Sequence, residues 1–394
     1  MYKGLLLFVV LAILLSWPVV AQVRLLGKVT DAVTGQGLPF VSVRVPDTAL
    51  GTTSNADGEF ELILPAKGKQ LIFSELGYVP DSVLVGEEKS LLVKLKPSPM
   101  LLPEVQVPNY VENLLTRAYR VLLRNNHVHS YGQAFYRQVT RLQKEATEVQ
   151  EQLWNTETCN TGVKGTALMQ GRYAKKKSLV TFENFSVNTR GNIDFMPDAD
   201  STKARSFLSP NAGQYYTLKL LGIEQQGAQQ LAEIGFVSKS SQMAGSAVID
   251  VVTGQLLRLK VAMKGFSFTS SNPDFELRNG VMNFECAFLP GDRVPILNYI
   301  NTTYTADAKR KLKPTLAVHV SAFAFFYGGQ PTPLPGVTYE KPNLNQADLA
   351  AVKMAPYDPV FWQNNSVVKR TPLEEEVIKS FEREKVFGNM LSPQ

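Results

Sequence analysis

The chain holds three histidines, His127, His129 and His319, and two cysteines, Cys159 and Cys286. A zinc peptidase needs a His and a Glu two residues apart, with a distant His, to hold the metal and leave one coordination position open. None of the three histidines is followed by Glu at that spacing, and no HExxH motif occurs. His127 and His129 could face one side of a strand and share a metal, but no third ligand is identifiable. The preferred reading for both is a loop or strand edge after a helix. His319 is in phase with Thr315, Ser321 and Phe323 and opposite Val318 and Val320, which turns it toward solvent or a pocket.

Other chemistry is present only in fragments. Ser366 and Lys369 satisfy SxxK, yet the companion motifs of penicillin-recognising enzymes are missing and a helix start follows. Asp198–Asp200 and Asn55–Gly58 resemble pieces of calcium loops without the distal bidentate Glu, so turn chemistry accounts for both. Full nucleophile elbows and phosphate loops are absent. No catalytic residue, metal ligand or cofactor is assigned. Phe323, Phe325 and Tyr327 share one face of a strand whose other face carries Val318, Val320, Ala322 and Ala324. A strand apolar on both faces is covered on both sides. The cover is either the protein's own helices or an apolar ligand. His319, Phe323, Phe325 and Tyr327 are therefore the candidate ligand-facing residues. Cys159 and Cys286 could form a disulfide in an oxidising compartment, or Cys286 could be a buried thiol in phase with Met282, Phe284 and Phe288.

These residues need elements to hold them. The chain has 394 residues, 44% hydrophobic and 19% charged, which is globular and long enough for two or three domains. A net charge of +6 against 35 acidic groups is a mild excess, and no aromatic–basic stripe points to nucleic acid. Lys3, the apolar run Leu5–Trp17 and the small residues Val19 and Ala21 predict an export signal over residues 1–21. No later run is long enough for a spanning helix. The expected location is the periplasm or outer membrane of a Gram-negative bacterium.

Residues 22–97 alternate with period two at Val41–Val45, Phe60–Leu64 and Leu91–Leu95, between turn clusters such as Thr34–Gly37 and Asn55–Gly58. Short strands at this density predict a β-sandwich. The run Gly27–Asp31 with Gly37–Val45, then Gly51–Phe60, then Leu71–Tyr78, resembles carboxypeptidase-regulatory-like domains. The resemblance implies a transthyretin-like, seven-stranded sandwich that serves as an accessory module without catalytic residues. It also implies neighbours of several kinds, including peptidases and outer-membrane transporters.

A Pro-rich linker over 98–108 precedes a helix at 109–125, for which Asn109 is the expected cap and Glu112 its capping-box partner. Strands then dominate 109–330, with a hairpin at Val251–Gly254, a second turn at Asn279–Gly280 and a helix around Gln214–Leu221. The expected architecture is mainly β: the sandwich plus a larger antiparallel curved sheet or partial barrel with helical cover. Residues 331–394 read as an irregular segment closed by a helix that Thr371, Pro372 and Glu374 start and that stops near Gly388. The layout, with Ala134–Arg137 near the start of the second part and Tyr357–Trp362 near its end, resembles exported bacterial proteins named only for that sandwich. The expected function is a non-enzymatic envelope protein, binding or structural, whose partner is another envelope protein or an apolar ligand. The alternatives are a carrier of a lipid or other apolar ligand in a concave sheet and a hydrolase in the β-rich region.

Overall fold

The structure is a computed structural model that describes residues 23–46, 48, 50–65, 68–86, 88–101, 109–176, 178, 180–190, 206–226, 229–268, 275–311, 313–343, 345, 347–355, 358–364, 367–383 and 387. The export signal, Asp198, Asp200, Tyr357, Ser366 and Gly388 lie outside the described residues.

Seven strands build the N-terminal unit: β1 (Val23–Asp31), β2 (Ser42–Arg44), β3 (Gly51–Thr53), β4 (Glu59–Leu64), β5 (Gln70–Ser74), β6 (Asp81–Leu84) and β7 (Ser90–Leu95). They form a three-stranded sheet, β4-β1-β7, facing a four-stranded sheet, β3-β2-β5-β6. Leu25, Val29, Val43, Phe60, Leu71, Phe73 and Val93 are buried between them. The alternation that buries Phe60, Leu62 and Leu64 fixes the register, because a one-residue slip would put all three in solvent. Turn side chains complete the unit. Asp31 Oδ1 accepts from the amides of Val33 and Thr34, and Asn55 Oδ1 accepts from those of Asp57 and Glu59. Gly58, at φ 80°, turns the chain where a Cβ would meet the Val29 carbonyl at 2.4 Å.

The second unit is one antiparallel sheet. Its strands are β8 (Met100–Leu101), β9 (Ser130–Leu142), β10 (Glu145–Cys159), β11 (Gly162–Lys175), β12 (Tyr216–Gln226), β13 (Gln229–Ser238), β14 (Met243–Asp250), β15 (Leu256–Lys264), β16 (Phe275–Leu289), β17 (Ile296–Arg310) and β18 (Lys313–Gln330). Among the described residues the order is β11-β10-β9-β18-β17-β16-β15-β14-β13-β12-β8. Two meanders meet where β18 returns to pair with β9, with Phe325 opposite Phe135 and Ser321 opposite Val139. The end strands β11 and β8 do not pair with each other, so the sheet stays open rather than closing into a barrel.

One face of this sheet buries Tyr136, Trp154, Phe236, Val261, Phe284, Tyr304 and Val320. Helix α1 (Tyr110–Asn125) packs Leu114, Leu115, Ala118 and Leu122 into it, and Phe182, Phe185 and Phe207 complete the fill. This filled face is the inner one. The short helices α2 (Ser186–Arg190), α3 (Ala212–Tyr215), α4 (Asp348–Met354) and α5 (Pro359–Asn364) and the longer α6 (Pro372–Arg383) follow in chain order. Helix α6 starts as expected: the Glu374 amide donates to Thr371 Oγ1, and the Thr371 amide donates to Glu374 Oε2.

Several local expectations fail for identifiable reasons. Asn109 precedes α1 in a left-handed conformation (φ 61°) and makes no side-chain cap. The helix expected at Gln214–Leu221 is one turn, Ala212–Tyr215, and gives way to β12, whose pairing with β13 overrides local preference. Asn279–Gly280 is a bulge inside β16, not a turn. Pairing with β17 resumes on both sides of it, and a Cβ on Gly280 would meet the Phe266 carbonyl at 1.7 Å. The segment read as a linker supplies strand β8, which pairs with β12. Cys159 and Cys286 are free and buried, so the disulfide is not made. Cys286 sits in the inner core on β16, and Cys159 ends β10, where its Sγ lies 2.9 Å from Thr161 Oγ1.

Candidate functional site

The outer face of the large sheet carries a docked sandwich and a docked C-terminal segment. Strand β18 shows why. Its inner residues Val318, Val320, Ala322 and Ala324 join the main core, and its outer residues are aromatic. Phe323 stacks on Phe40 of the sandwich, with centroids 4.6 Å apart at 14°, and Phe40 also meets Tyr299 at 5.2 Å. Phe40 holds φ at 61°, a strained value for a bulky residue. That strain costs about 1–3 kcal/mol and persists because the docked ring over-determines it.

Arg258 secures the same interface. Arg258 of β15 lies 3.3 Å from Glu75 and donates to the Leu76 carbonyl. Tyr299 donates to Glu285 at 3.0 Å, and Lys260 lies 3.4 Å from Glu285. Burial pushes the Glu75 carboxyl up to about 8, and Glu285 adds to the rise against the pull of Arg258 and Lys260. Leu76 packs against Leu231, Val248 and Leu257.

The C-terminal segment covers β9–β11. Glu151, almost fully buried, lies 2.7 Å from Arg137 and 2.5 Å from Arg172. Arg370 reaches it from 3.8 Å, and Arg137 and Arg172 extend to Glu374 and Glu382 of α6. Although burial opposes ionisation, the three guanidinium groups hold the Glu151 carboxyl far below its usual range. Val368 forms a parallel bridge with Thr53, Thr52 Oγ1 donates to the Val367 carbonyl, and Lys369 pairs with Glu59 at 2.8 Å. The segment thus runs beside edge strand β3 and ties the sandwich to the sheet.

Between these two docked parts lies a cleft of about 490 Å³, walled by Leu50–Thr52 and Glu61–Ile63 of the sandwich and by Tyr131, Tyr327, Leu334 and Val367 of the second unit. A second hollow of about 360 Å³ shares Leu50, Gly51, Gly132, Gln133, Tyr327 and Gly328 with it and extends to Arg44, Ile296 and Phe325. Gly132 makes the floor possible, since a Cβ there would meet the Tyr327 carbonyl at 2.6 Å. The lining is apolar with a few polar groups, the usual character of a ligand site between domains. Glu61 is its one carboxylate and pairs with Arg24 at 2.7 Å.

Of the four residues predicted to face a ligand, Tyr327 lines both hollows and Phe325 lines the smaller. Burial raises the Tyr327 hydroxyl, which stays protonated. Phe323 lies against the sandwich instead. His319 pairs with Arg141 and Thr305 in the sheet, rows away from the cleft, and burial with Arg141 lowers its basicity. His127 is exposed, whereas His129 Nδ1 lies 2.7 Å from Glu157, which also accepts from Tyr131. Among the described residues no group of three or more His, Cys, Asp or Glu could hold a metal ion. Sequence reasoning missed Phe40 and Tyr131. Phe40 could have been flagged as a large apolar residue in a turn between strands, but nothing local marks Tyr131.

The family model of the CarboxypepD_reg-like domain matches residues 25–107. Over 104 residues the chain is 32% identical to the TonB-dependent receptor P3 of Formosa agariphila, which is 26% of this chain and 10% of that protein. The chain therefore spans about a tenth of that relative's length. A protein of unknown function from Bacteroides fragilis, described as membrane-associated, aligns over 78% of this chain and 98% of its own at 11% identity and a TM-score of 0.17. The LolA superfamily protein NE2245 from Nitrosomonas europaea aligns over 57% of this chain and 94% of its own, at 10% identity and a TM-score of 0.20. Both scores are too low to relate the folds. The stretch that the CarboxypepD_reg-like domain model matches takes in the whole sandwich from Leu25 onward, the unit that forms one wall of the cleft.

Proposed function

We propose that the chain is a non-catalytic binding protein of the bacterial cell envelope, and that its ligand or partner seats in the cleft between the sandwich and the second unit. The observation that carries this reading is the cleft itself: about 490 Å³, apolar, and walled by both units. The envelope setting is supported by the export signal read from residues 1–21 and by the similarity of the sandwich to a stretch of a TonB-dependent receptor. The non-catalytic reading is supported by the engagement of Glu61, the carboxylate of the lining, by Arg24. A carrier holding a lipid on the inner face would have to displace Phe182, Phe185 and Phe207, which already fill it. The cleft needs no such displacement.

Native mass spectrometry of the full chain, gently purified from its host, tests the reading. The expected result is an added mass that Gln133→Trp removes by filling the cleft, while the variant keeps the parent's melting temperature. An added mass that survives Gln133→Trp, or none on either protein, contradicts it.

A further inference from the structure

Strand β7 ends the β4-β1-β7 sheet among the described residues. Just past it the same edge is met by Gly77–Val79, where the Val79 amide donates to the Lys96 carbonyl, while no described strand lies beside Ser90–Lys94. The ladder identifies which groups that edge presents. The Leu26 amide donates to the Lys89 carbonyl and the Ala32 amide to the Leu95 carbonyl, so the odd-numbered residues of β7 face β1. By alternation, Ser90, Leu92 and Lys94 turn their N–H and C=O groups outward. All three residues are exposed, and Leu92 is 60% accessible. Leu26 of β1 stands directly opposite Ser90 on the same outer face, also exposed, so an apolar step runs from β1 to the edge.

Lysines outnumber carboxylates around this edge, where Glu88 and Asp81 are exposed and Glu59, opposite Lys28, is paired with Lys369. Lys28, Lys89, Lys94 and Lys96 are exposed, and none makes an ion pair among the described residues. Lysines on an edge strand deter indiscriminate pairing. They also select for a complementary partner, because like charges opposite one another disfavour binding. Strand addition is already used by the neighbouring sheet, where Val368 lies along the edge of β3.

We propose that β7 is a strand-addition site for an extended acidic segment of a partner polypeptide. The segment pairs its backbone with Ser90, Leu92 and Lys94. It lays apolar side chains beside Leu92 and acidic ones beside Lys28 and Lys94. This surface is separate from the cleft, and the inference stands without the cleft reading.

The probes are two synthetic peptides of equal length, alternating Val with Glu or Val with Lys, added to the full chain. The acidic peptide is expected to bind about tenfold or more tightly than the basic one, less so at high salt. It is expected to slow hydrogen exchange at the amides of Ser90, Leu92 and Lys94. Leu92→Pro removes an outward donor without touching the β1 ladder and should cost about tenfold in affinity, well beyond the loss from Leu92→Ala. If Leu92→Pro does not fold, N-methylation of alternate residues of the peptide reads the same point: one phase should abolish binding and the other should not. Equal binding of both peptides, no protection at these amides, or indifference to N-methylation in both phases overturns the proposal. So does protection of the edge by a second copy of the chain before peptide is added.

Discussion

Glu75 gives the sandwich interface a pH dependence of definite sign. Its carboxyl is buried against β15–β17, with Arg258 at 3.3 Å, and its pKa is pushed from 4.5 up to about 8. The docked state therefore binds a proton that the unfolded chain has already released, and stability falls as pH rises between those values. The loss begins above the unfolded value and is complete beyond the folded one. At 1.36 kcal/mol per unit the shift sets a ceiling of about 5 kcal/mol. The residual exposure of Glu75 and the nearby Arg258 bring the expected effect to about 2–3 kcal/mol. Glu75→Gln holds the side chain in its neutral form at every pH. Urea unfolding from pH 5 to pH 9 should show the parent losing stability while the variant stays nearly flat. The two should agree at the acid end, with the variant the more stable at the alkaline end. A parent whose midpoint is flat or rises over this range refutes the assignment of a buried, uncharged Glu75 to the interface.

Three further outcomes follow from the packing. Glu151→Gln leaves Arg137 and Arg172 buried without their shared counter-charge and should cost about 3–5 kcal/mol in chemical denaturation. Because the Glu151 carboxyl is depressed, its contribution is present above the unfolded value and is lost as pH falls toward the folded one. Phe40→Ala removes the half-buried ring stacked on Phe323 and should cost about 1–3 kcal/mol. Its signature is faster limited proteolysis between the two units. Thr371→Ala removes the cap of α6 and should cost about 1 kcal/mol, with Thr371→Ser close to the parent in melting temperature.

The parts of the fold legible in the sequence are those whose causes are local. The alternation at Phe60–Leu64 places three residues on one face whatever surrounds them, and Thr371 reaches Glu374 within a single turn. Asn279–Gly280 misleads because the same left-handed residue serves a hairpin turn and a bulge. Only the partner strand decides between them, and β17 continues past both residues. Asn109 misleads in the same way, since it takes a left-handed conformation instead of the extended one a cap requires. The double apolar face of β18 correctly predicts cover on both sides. What covers its outer side depends on Phe40 and on the chain around Val368, which lie far away along the sequence. The cleft was half legible for the same reason: Tyr327 was marked by its strand, but Tyr131 and Leu50 reach it only after the sandwich docks.

The central claim is that the cleft is where this protein meets its ligand or partner. A photo-reactive amino acid placed at Leu334 in the cleft, and separately at the exposed Val252 on the β14–β15 turn, tests it in the native host. Irradiation should give one discrete adduct from Leu334, lost in the Gln133→Trp background, and none from Val252. Adducts of equal yield from both positions, or from Val252 alone, would contradict the account.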